Sequence, residues 1–192
     1  DRDEDKFMSA AIGLSPSEEI RSKLNHPVLD CDGHYIEFMP YYMDFVEEVG
    51  GLSMVETFRQ NRIGEIRLNP SAWHNMSREQ RQHQMRWRRP FYALPTKLVH
   101  DRATSMLPRL LYRRMDELGI DFSVLYPTLG LDMLFIKNNE IRQVACRALN
   151  KMNSTVWAEF SDRMAPVAAI PTTTPAEGVA ELDFAIGELG LK

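Results

Sequence analysis

Asp32 and His34 are the two residues of this chain whose types and spacing best suit chemistry. They stand two positions apart, after a short apolar pair, Val28-Leu29, that has strand character. In an extended backbone, side chains two positions apart point to the same face. A carboxylate oxygen beside an imidazole nitrogen is a common start for a divalent metal site. Gly33 between them is expected to let the backbone approach a bound group closely.

The same pair also fits a structural interpretation, in which Asp32 caps the following turn and His34 is a hydrogen-bonded buried histidine. A catalytic metal site needs three or four protein ligands and an open position, and this spacing supplies two. The other histidines do not follow a predicted strand: they are His26, His74, His83 and His100. Spacing alone therefore leaves both interpretations open.

Four further side chains are candidates for supporting roles. Glu37 is expected either to accept hydrogen bonds beside the site or to be solvated at a helix entry. Cys31 is expected on the opposite strand face, as a small core residue rather than a nucleophile. Thr128 and Thr172 follow the second and third predicted strands, where ligands bind in parallel βα architectures. Their hydroxyls are expected either to line a pocket or to serve turns and helix caps.

The composition is that of an ordinary soluble domain, or of a fragment of a larger one. The chain has 192 residues, of which 44% are hydrophobic and 26% are charged. No apolar run approaches the roughly 18 residues of a membrane span, so no membrane association is expected. The two cysteines give no disulfide framework, which predicts a reducing compartment and hence a cytoplasmic protein.

Charge is distributed unevenly along the chain. The net charge is −4, yet residues 78–114 hold nine Arg and one Lys against one Glu and one Asp. This stretch lacks the aromatic interleaving of nucleic-acid readers, so solvated faces and subunit contacts are expected instead of nucleic acid. One of these arginines is a candidate partner for a substrate carboxylate, because the guanidinium fork binds carboxylates bidentately.

Helices and strands are predicted to alternate along the chain. Residues 1–27 are expected to form a leader with a short helix, which begins at the capping box Ser15–Glu18. Apolar runs predict three strands, at 28–32, 122–126 and 164–170. Apolar stripes at helical spacing predict helices at 40–51, 107–118, 141–160 and 175–189. Such alternation indicates βαβ units around a parallel sheet with both faces covered.

Residues 52–100 are predicted to be a helical or irregular excursion that follows the first βα unit. A second capping signature, Ser77–Gln80, opens a short helix there, and Arg89-Pro90 is expected to stop it. Trp73 and Trp87 are expected to anchor the excursion by packing. Leu191 and Lys192 look like the first step of a fourth strand, so the chain is expected to be truncated.

Three segments together resemble the amidohydrolase superfamily. They are Leu-Asp-Cys-Asp-Gly-His-Tyr-Ile-Glu at 29–37, the long segment 101–131, and Ala-Pro-Val-Ala-Ala-Ile-Pro at 165–171. The resemblance is strongest to the branch that contains aminocarboxymuconate-semialdehyde decarboxylase and related metal-dependent hydrolases. It implies a TIM (β/α)8 barrel, of which residues 28–192 would be the N-terminal portion with about three βα units.

The resemblance also implies a mononuclear divalent metal at the carboxyl ends of the barrel strands. The family's first strand carries His-x-His or a carboxylate-x-His variant, and Asp32 with His34 matches the variant. The remaining ligands would be a histidine from a middle strand and an aspartate near the last strand, both beyond this chain. Zinc is the first expectation and manganese the second.

The expected function is hydrolysis of a C–N or C–O bond by metal-activated water. The alternative on the same fold is non-oxidative decarboxylation of a carboxylated aromatic or enoic acid. A third possibility, of another class, is a non-catalytic barrel fragment that acts as a binding or scaffold subunit. We expect a small-molecule substrate, for which a carboxylate is the candidate. We also expect either a homo-oligomer or association with the rest of the barrel, and an isolated chain that is inactive.

Overall fold

Three parallel strands lie side by side at the centre of this α/β chain. The structure is a computed structural model that describes residues 13–61, 63, 77–83 and 98–192. The strands are β1 (Leu29–Tyr35), β2 (Phe122–Pro127) and β3 (Met164–Pro166), in the order β1-β2-β3. β2 pairs in parallel with both neighbours. The predicted parallel sheet built from βα units is confirmed for this part of the chain.

Helices separate the strands in sequence. In chain order they are α1 (Pro16–Arg21), α2 (Met39–Gln60), α3 (Arg78–His83), α4 (Val99–Thr104), α5 (Pro108–Leu118), α6 (Gly130–Met133), α7 (Asn139–Val156) and α8 (Pro175–Leu182). A 3-10 turn, Ala158–Phe160, follows α7, and a π-helical segment, Asp183–Glu188, continues from α8. Within the described residues, no helix is long and apolar enough to cross a membrane.

The hydrophobic core lies on one face of the sheet, under α2 and α7. Alternate strand residues, such as Tyr35, Leu125 and Met164, are buried there together with Val46 of α2 and Leu149 of α7. The intervening residues of β2 and β3 are half-buried on the other face, which we call the open face. The described helices therefore cover the sheet mainly from one side, whereas the sequence predicts cover on both.

Helix ends follow the predicted capping chemistry. The Ser15 hydroxyl accepts from the Glu18 N–H at 3.1 Å, and the Glu18 carboxylate accepts from the Ser15 N–H at 2.6 Å. Thr174 and Glu177 form the same reciprocal box at α8. At the end of α5, Gly119 adopts φ 72°, a left-handed conformation that glycine reaches without a Cβ clash. These boundaries needed only local residues, so the sequence predicted them correctly.

The second helix is longer than its sequence pattern predicts. Gly51 has φ 76° and ψ 175°, so the helix bends there, and it then continues to Gln60. Met54, Val55 and Phe58 of this second half are buried in the core, and their burial favours the helical continuation. Residues 52–60 therefore continue the helix that the sequence pattern ended at Gly50-Gly51. The predicted features Trp73, Trp87 and Arg89-Pro90 lie outside the described residues.

The third strand is shorter than the predicted span of 164–170. It ends at Pro166, and the Val167 N–H makes a last bond to the Leu125 carbonyl at 3.0 Å. Beyond that point the side chain of Asn150 on α7 forms the hydrogen bonds that a neighbouring strand would otherwise make with the backbone of Ala169. Its amide donates to the Ala169 carbonyl at 3.0 Å, and its carbonyl oxygen accepts from the Ala169 N–H at 2.7 Å. A helix side chain thus satisfies the backbone that the sequence assigned to the strand.

Candidate functional site

Asp32 and His34 lie near the carboxyl end of β1, on the open face of the sheet. Gly33 between them is buried, and it pairs with the buried Leu125, whereas His34 pairs with the half-buried Tyr126. Since alternate residues point to opposite faces, Gly33 faces the core side and its two neighbours face away from it. Asp32 is exposed and His34 is half-buried. The structure therefore places the two candidate ligands on the shared face that their spacing predicts.

Partial burial disfavours the charged form of the His34 imidazole. Partial burial lowers the pKa of His34 from its ordinary value, and the nearby carboxylates of Asp32 and Asp30 only partly oppose this effect. The imidazole ring also lies beside the ring of Tyr126, with 5.8 Å between the ring centroids. A neutral imidazole is the form that binds metal ions.

A β-bulge in β1 includes Asp32 itself. The register between β1 and β2 shifts between Asp30 and Gly33. The Asp30 carboxylate accepts from the Asp32 N–H at 3.0 Å and from the Ser123 hydroxyl at 3.2 Å. Cys31 is exposed, so its predicted place in the core is wrong. The extra residue of the bulge breaks the strict alternation on which that prediction depended.

Gly33 serves the contact between strands rather than contact with a ligand. A Cβ at this position would lie 2.3 Å from the Ser123 Oγ and 2.9 Å from the Val124 carbonyl oxygen. Both atoms belong to β2, so a side chain here would push the two strands apart. Gly33 was expected to let the backbone approach a bound group. In the structure, the absence of a side chain instead allows β1 to pack closely against β2.

Glu37 is buried and holds the loop that follows β2. Its side chain accepts hydrogen bonds from the Leu129 N–H at 2.9 Å and from the Gly130 N–H at 2.6 Å, at the start of α6. Only 2% of the residue is exposed. Burial raises the pKa of Glu37 to about 7, although the surrounding backbone N–H groups act in the opposite direction. Of its two predicted roles, the hydrogen-bonded one is observed and the solvated one is wrong.

Three chain segments meet around the carboxyl end of β1. The Thr128 N–H donates to the Tyr35 carbonyl at 3.1 Å, and the Ile36 N–H donates to the Ser105 carbonyl at 2.7 Å. Thr128 is buried, and within the described part of the chain its hydroxyl has no hydrogen-bond partner. Thr172, the other candidate threonine, is exposed. We call the ends of β1 and β2, with the segments after them, the carboxyl edge.

The remaining candidate ligands do not join the pair. His26 and His100 are exposed and lie before β1 and on α4, while the side chains of His74 and His83 lie outside the described residues. Among the residues that the structure describes, no group of three or more His, Cys, Asp or Glu side chains is placed to bind a metal ion. The described carboxyl edge therefore supplies two ligands.

Two arginines of the basic stretch are engaged with carboxylates of the chain itself. Arg109 pairs with Glu159 at 2.8 Å. Arg114 pairs with Glu117 at 2.7 Å and with Asp101 at 3.0 Å. These contacts use the guanidinium groups that a substrate carboxylate would need, so neither arginine is the expected substrate partner in this arrangement.

The Glu37 contact is the feature of the carboxyl edge that the sequence left undecided. One signal for its burial was present, because Glu37 stands between the apolar Ile36 and Phe38. The identity of its partners was not available, since Leu129 and Gly130 lie more than 90 positions further along the chain.

The chain was also compared with known proteins. It matches no protein-family model and no curated protein. The described residues form an α/β fold with a small three-stranded parallel sheet, and polar side chains lie at the carboxyl end of β1.

Proposed function

We propose that this chain is part of a metal-dependent enzyme of the amidohydrolase type, in which Asp32 and His34 are two of the metal ligands. The observation that carries the proposal is their placement together on one face at the carboxyl end of a parallel strand. In parallel βα architectures, ligands bind outside these strand ends. The fold within this proposal is the first part of a (β/α)8 barrel.

The chemistry of the two donors supports a divalent metal ion. Asp32 offers an exposed carboxylate, and the burial of His34 favours the neutral imidazole. Asp30 adds a second negative charge close to His34, which favours a cation at this edge. Zinc is the first choice, and the carboxylate ligand also suits manganese. A bound divalent ion would act as a Lewis acid that polarises a carbonyl group and lowers the pKa of water.

The open face of the sheet supports the proposed barrel. Val124, Tyr126 and Ala165 are half-buried there, on strands whose other face is packed against helices. In a complete barrel this face lines the interior, and further strands cover it. The proposed partners are therefore the remaining barrel segments or further copies of the chain, together with a small-molecule substrate that carries a carboxylate.

Zinc binding tests the proposed ligands. Isothermal titration of the chain with Zn²⁺ is expected to show one site, which Asp32→Asn and His34→Ala each weaken by roughly tenfold or more. His26→Ala removes an exposed histidine away from the carboxyl edge and serves as the matched control. Equal zinc affinity in all four proteins would overturn the proposed site and favour the scaffold function.

The products of the reaction separate the two proposed chemistries. The protein isolated from its source cells and loaded with Zn²⁺ is incubated with carboxylated aromatic compounds and, separately, with their amides and esters. Hydrolysis without carbon dioxide release is expected for the hydrolase. Carbon dioxide release without hydrolysis would overturn that assignment and establish the decarboxylase.

A further inference from the structure

The carboxylate of Glu37 connects the two strand ends of the carboxyl edge. Glu37 follows β1, and the two N–H groups that it accepts from belong to Leu129 and Gly130, which follow β2. Gly130 is also tightly enclosed, because a Cβ there would lie 2.4 Å from Leu149 and 3.0 Å from the Glu37 Oε1. The contact is therefore a close fit of carboxylate to backbone, which a longer or displaced loop would not make.

We propose that Glu37 is a positioning residue, and that gain or loss of one proton at its carboxylate sets how firmly the loop 128–130 is held at the carboxyl edge. The ionised carboxylate offers an acceptor oxygen to each of the two N–H groups. The protonated acid carries a hydrogen on one oxygen, so one N–H faces a weakened acceptor. The loop is thus held by two charge-assisted bonds in one state and by about one bond in the other.

Two opposing effects set the pKa of the Glu37 carboxyl group. Burial disfavours the charged form, while backbone N–H groups that converge on the carboxylate favour it. The net result is a pKa of about 7. Burial is what makes Glu37 gain or lose a proton near neutral pH, because a solvated carboxylate with the same two hydrogen bonds would stay ionised there.

Two tyrosines and a cysteine lie near Glu37, and burial keeps all three uncharged in the neutral range. Burial raises the pKa values of Tyr35 and Tyr42 well above 10, and it raises the pKa of Cys146, which lies beside Tyr42, to about 12. On α6, Asp132 is exposed. The loop 128–130 contains no titratable side chain. The charges that act on His34 are those of Asp32 and Asp30.

The held loop matters because of what it carries. It includes Thr128, whose buried hydroxyl has no hydrogen-bond partner in the described residues, and it follows Tyr126, whose ring lies beside His34. If the loop 128–130 were held less firmly, the positions of the Thr128 hydroxyl and of the Tyr126 ring beside His34 would change. The inference depends on the proposed function only in identifying this edge as the site, since the contact itself can be measured without any activity.

Amide proton shifts measured by NMR test the inference directly. In the unmodified chain, the Leu129 and Gly130 amide protons are expected to move downfield as pH rises from about 5 to about 9, with a common midpoint near 7. In Glu37→Gln this titration is expected to disappear. Glu181→Gln, which changes a buried carboxylate on α8, is the matched control and is expected to leave it in place.

Several outcomes would overturn the inference. These are constant shifts across this pH range, a midpoint close to the ordinary glutamate value of 4.5, or a titration that persists in Glu37→Gln. If Glu37→Gln does not fold, the midpoint in the unmodified chain still decides the matter. Failure of zinc binding with the titration intact would reject the proposed metal site alone, and the reverse result would reject the Glu37 inference alone.

Discussion

Burial sets the chemistry of the two titratable side chains closest to the carboxyl edge. It lowers the pKa of His34, and it raises the pKa of Glu37 to about 7. The sequence marked His34 as a candidate metal ligand from its spacing to Asp32, which is a local property. It could not assign Glu37, because the burial of that carboxylate depends on a loop distant in sequence.

Removing the charge of Glu37 is expected to change how stability depends on pH. The folded-state pKa, about 7, is raised above the ordinary value of 4.5, so the folded chain binds the proton more tightly. The resulting stabilisation is fully present below 4.5 and is lost as pH rises through 7. Urea unfolding should show the stability of the unmodified chain, relative to Glu37→Gln, falling by up to about 3 kcal/mol over this range.

Parallel stability curves for the two proteins, with a constant difference at every pH, would contradict this expectation. They would mean that Glu37 has the same proton affinity in the folded and unfolded chain.

The unpartnered hydroxyl of Thr128 is expected to be a cost to stability. Thr128→Val keeps the shape of the side chain and removes a buried polar group that lacks a partner, so the free energy of unfolding should stay equal or rise by up to about 1 kcal/mol. Ser123→Ala is the matched control on β2, since the Ser123 hydroxyl donates to Asp30. That change should lower stability by about 1 kcal/mol. Thermal unfolding of both variants makes the comparison, and a clear loss in Thr128→Val would contradict it.

Helix α8 buries its acidic side and exposes its apolar stripe, the reverse of what is usual for an amphipathic helix on a core. Val179, Leu182 and Ile186, in α8 and the π-helical continuation, are 59%, 48% and 43% exposed. Glu177 and Glu181 instead face α7, where they pair with Arg142 at 2.8 Å and Arg147 at 3.0 Å. Periodicity reveals that two faces differ, but the choice of buried face depends on the residues that the neighbouring helix presents.

Alanine substitutions are expected to show that the apolar stripe of α8 is exposed. Leu182→Ala should change the free energy of unfolding by no more than about 0.5 kcal/mol, because its side chain is half exposed. Leu149→Ala on α7, a fully buried leucine of the core, is the contrasting variant and should cost about 2–5 kcal/mol. Chemical denaturation measures both, and a comparable loss at Leu182 would show that the stripe is buried.

The molecule has a core in which distant parts of the chain are interleaved. β1 pairs with β2 across more than 80 intervening residues, and α2 packs against α7. Tyr35 of β1 donates to Asn153 of α7 at 2.5 Å and packs edge-on against Trp157, with 5.1 Å between ring centroids. Because each element depends on partners far away in sequence, the core should form and be lost as one unit.

Cooperative unfolding is the expected result for the whole molecule. In a variant with Trp73 and Trp87 changed to Phe, the fluorescence of Trp157 reports on the core directly. Its urea transition should coincide with the loss of helical circular dichroism at the same midpoint. Two separated midpoints would show that part of the helical structure is independent of the core around Tyr35 and Trp157.

The sequence by itself determined the helix caps, the approximate positions of the three strands and the parallel α/β arrangement. All of these depend on residues within a few positions of one another. The tertiary structure decided the end of β3 at Pro166, the orientation of α8 and the role of Glu37. Each of these depends on contacts between side chains and backbone brought together only by folding, where burial and hydrogen bonding outweigh local preference.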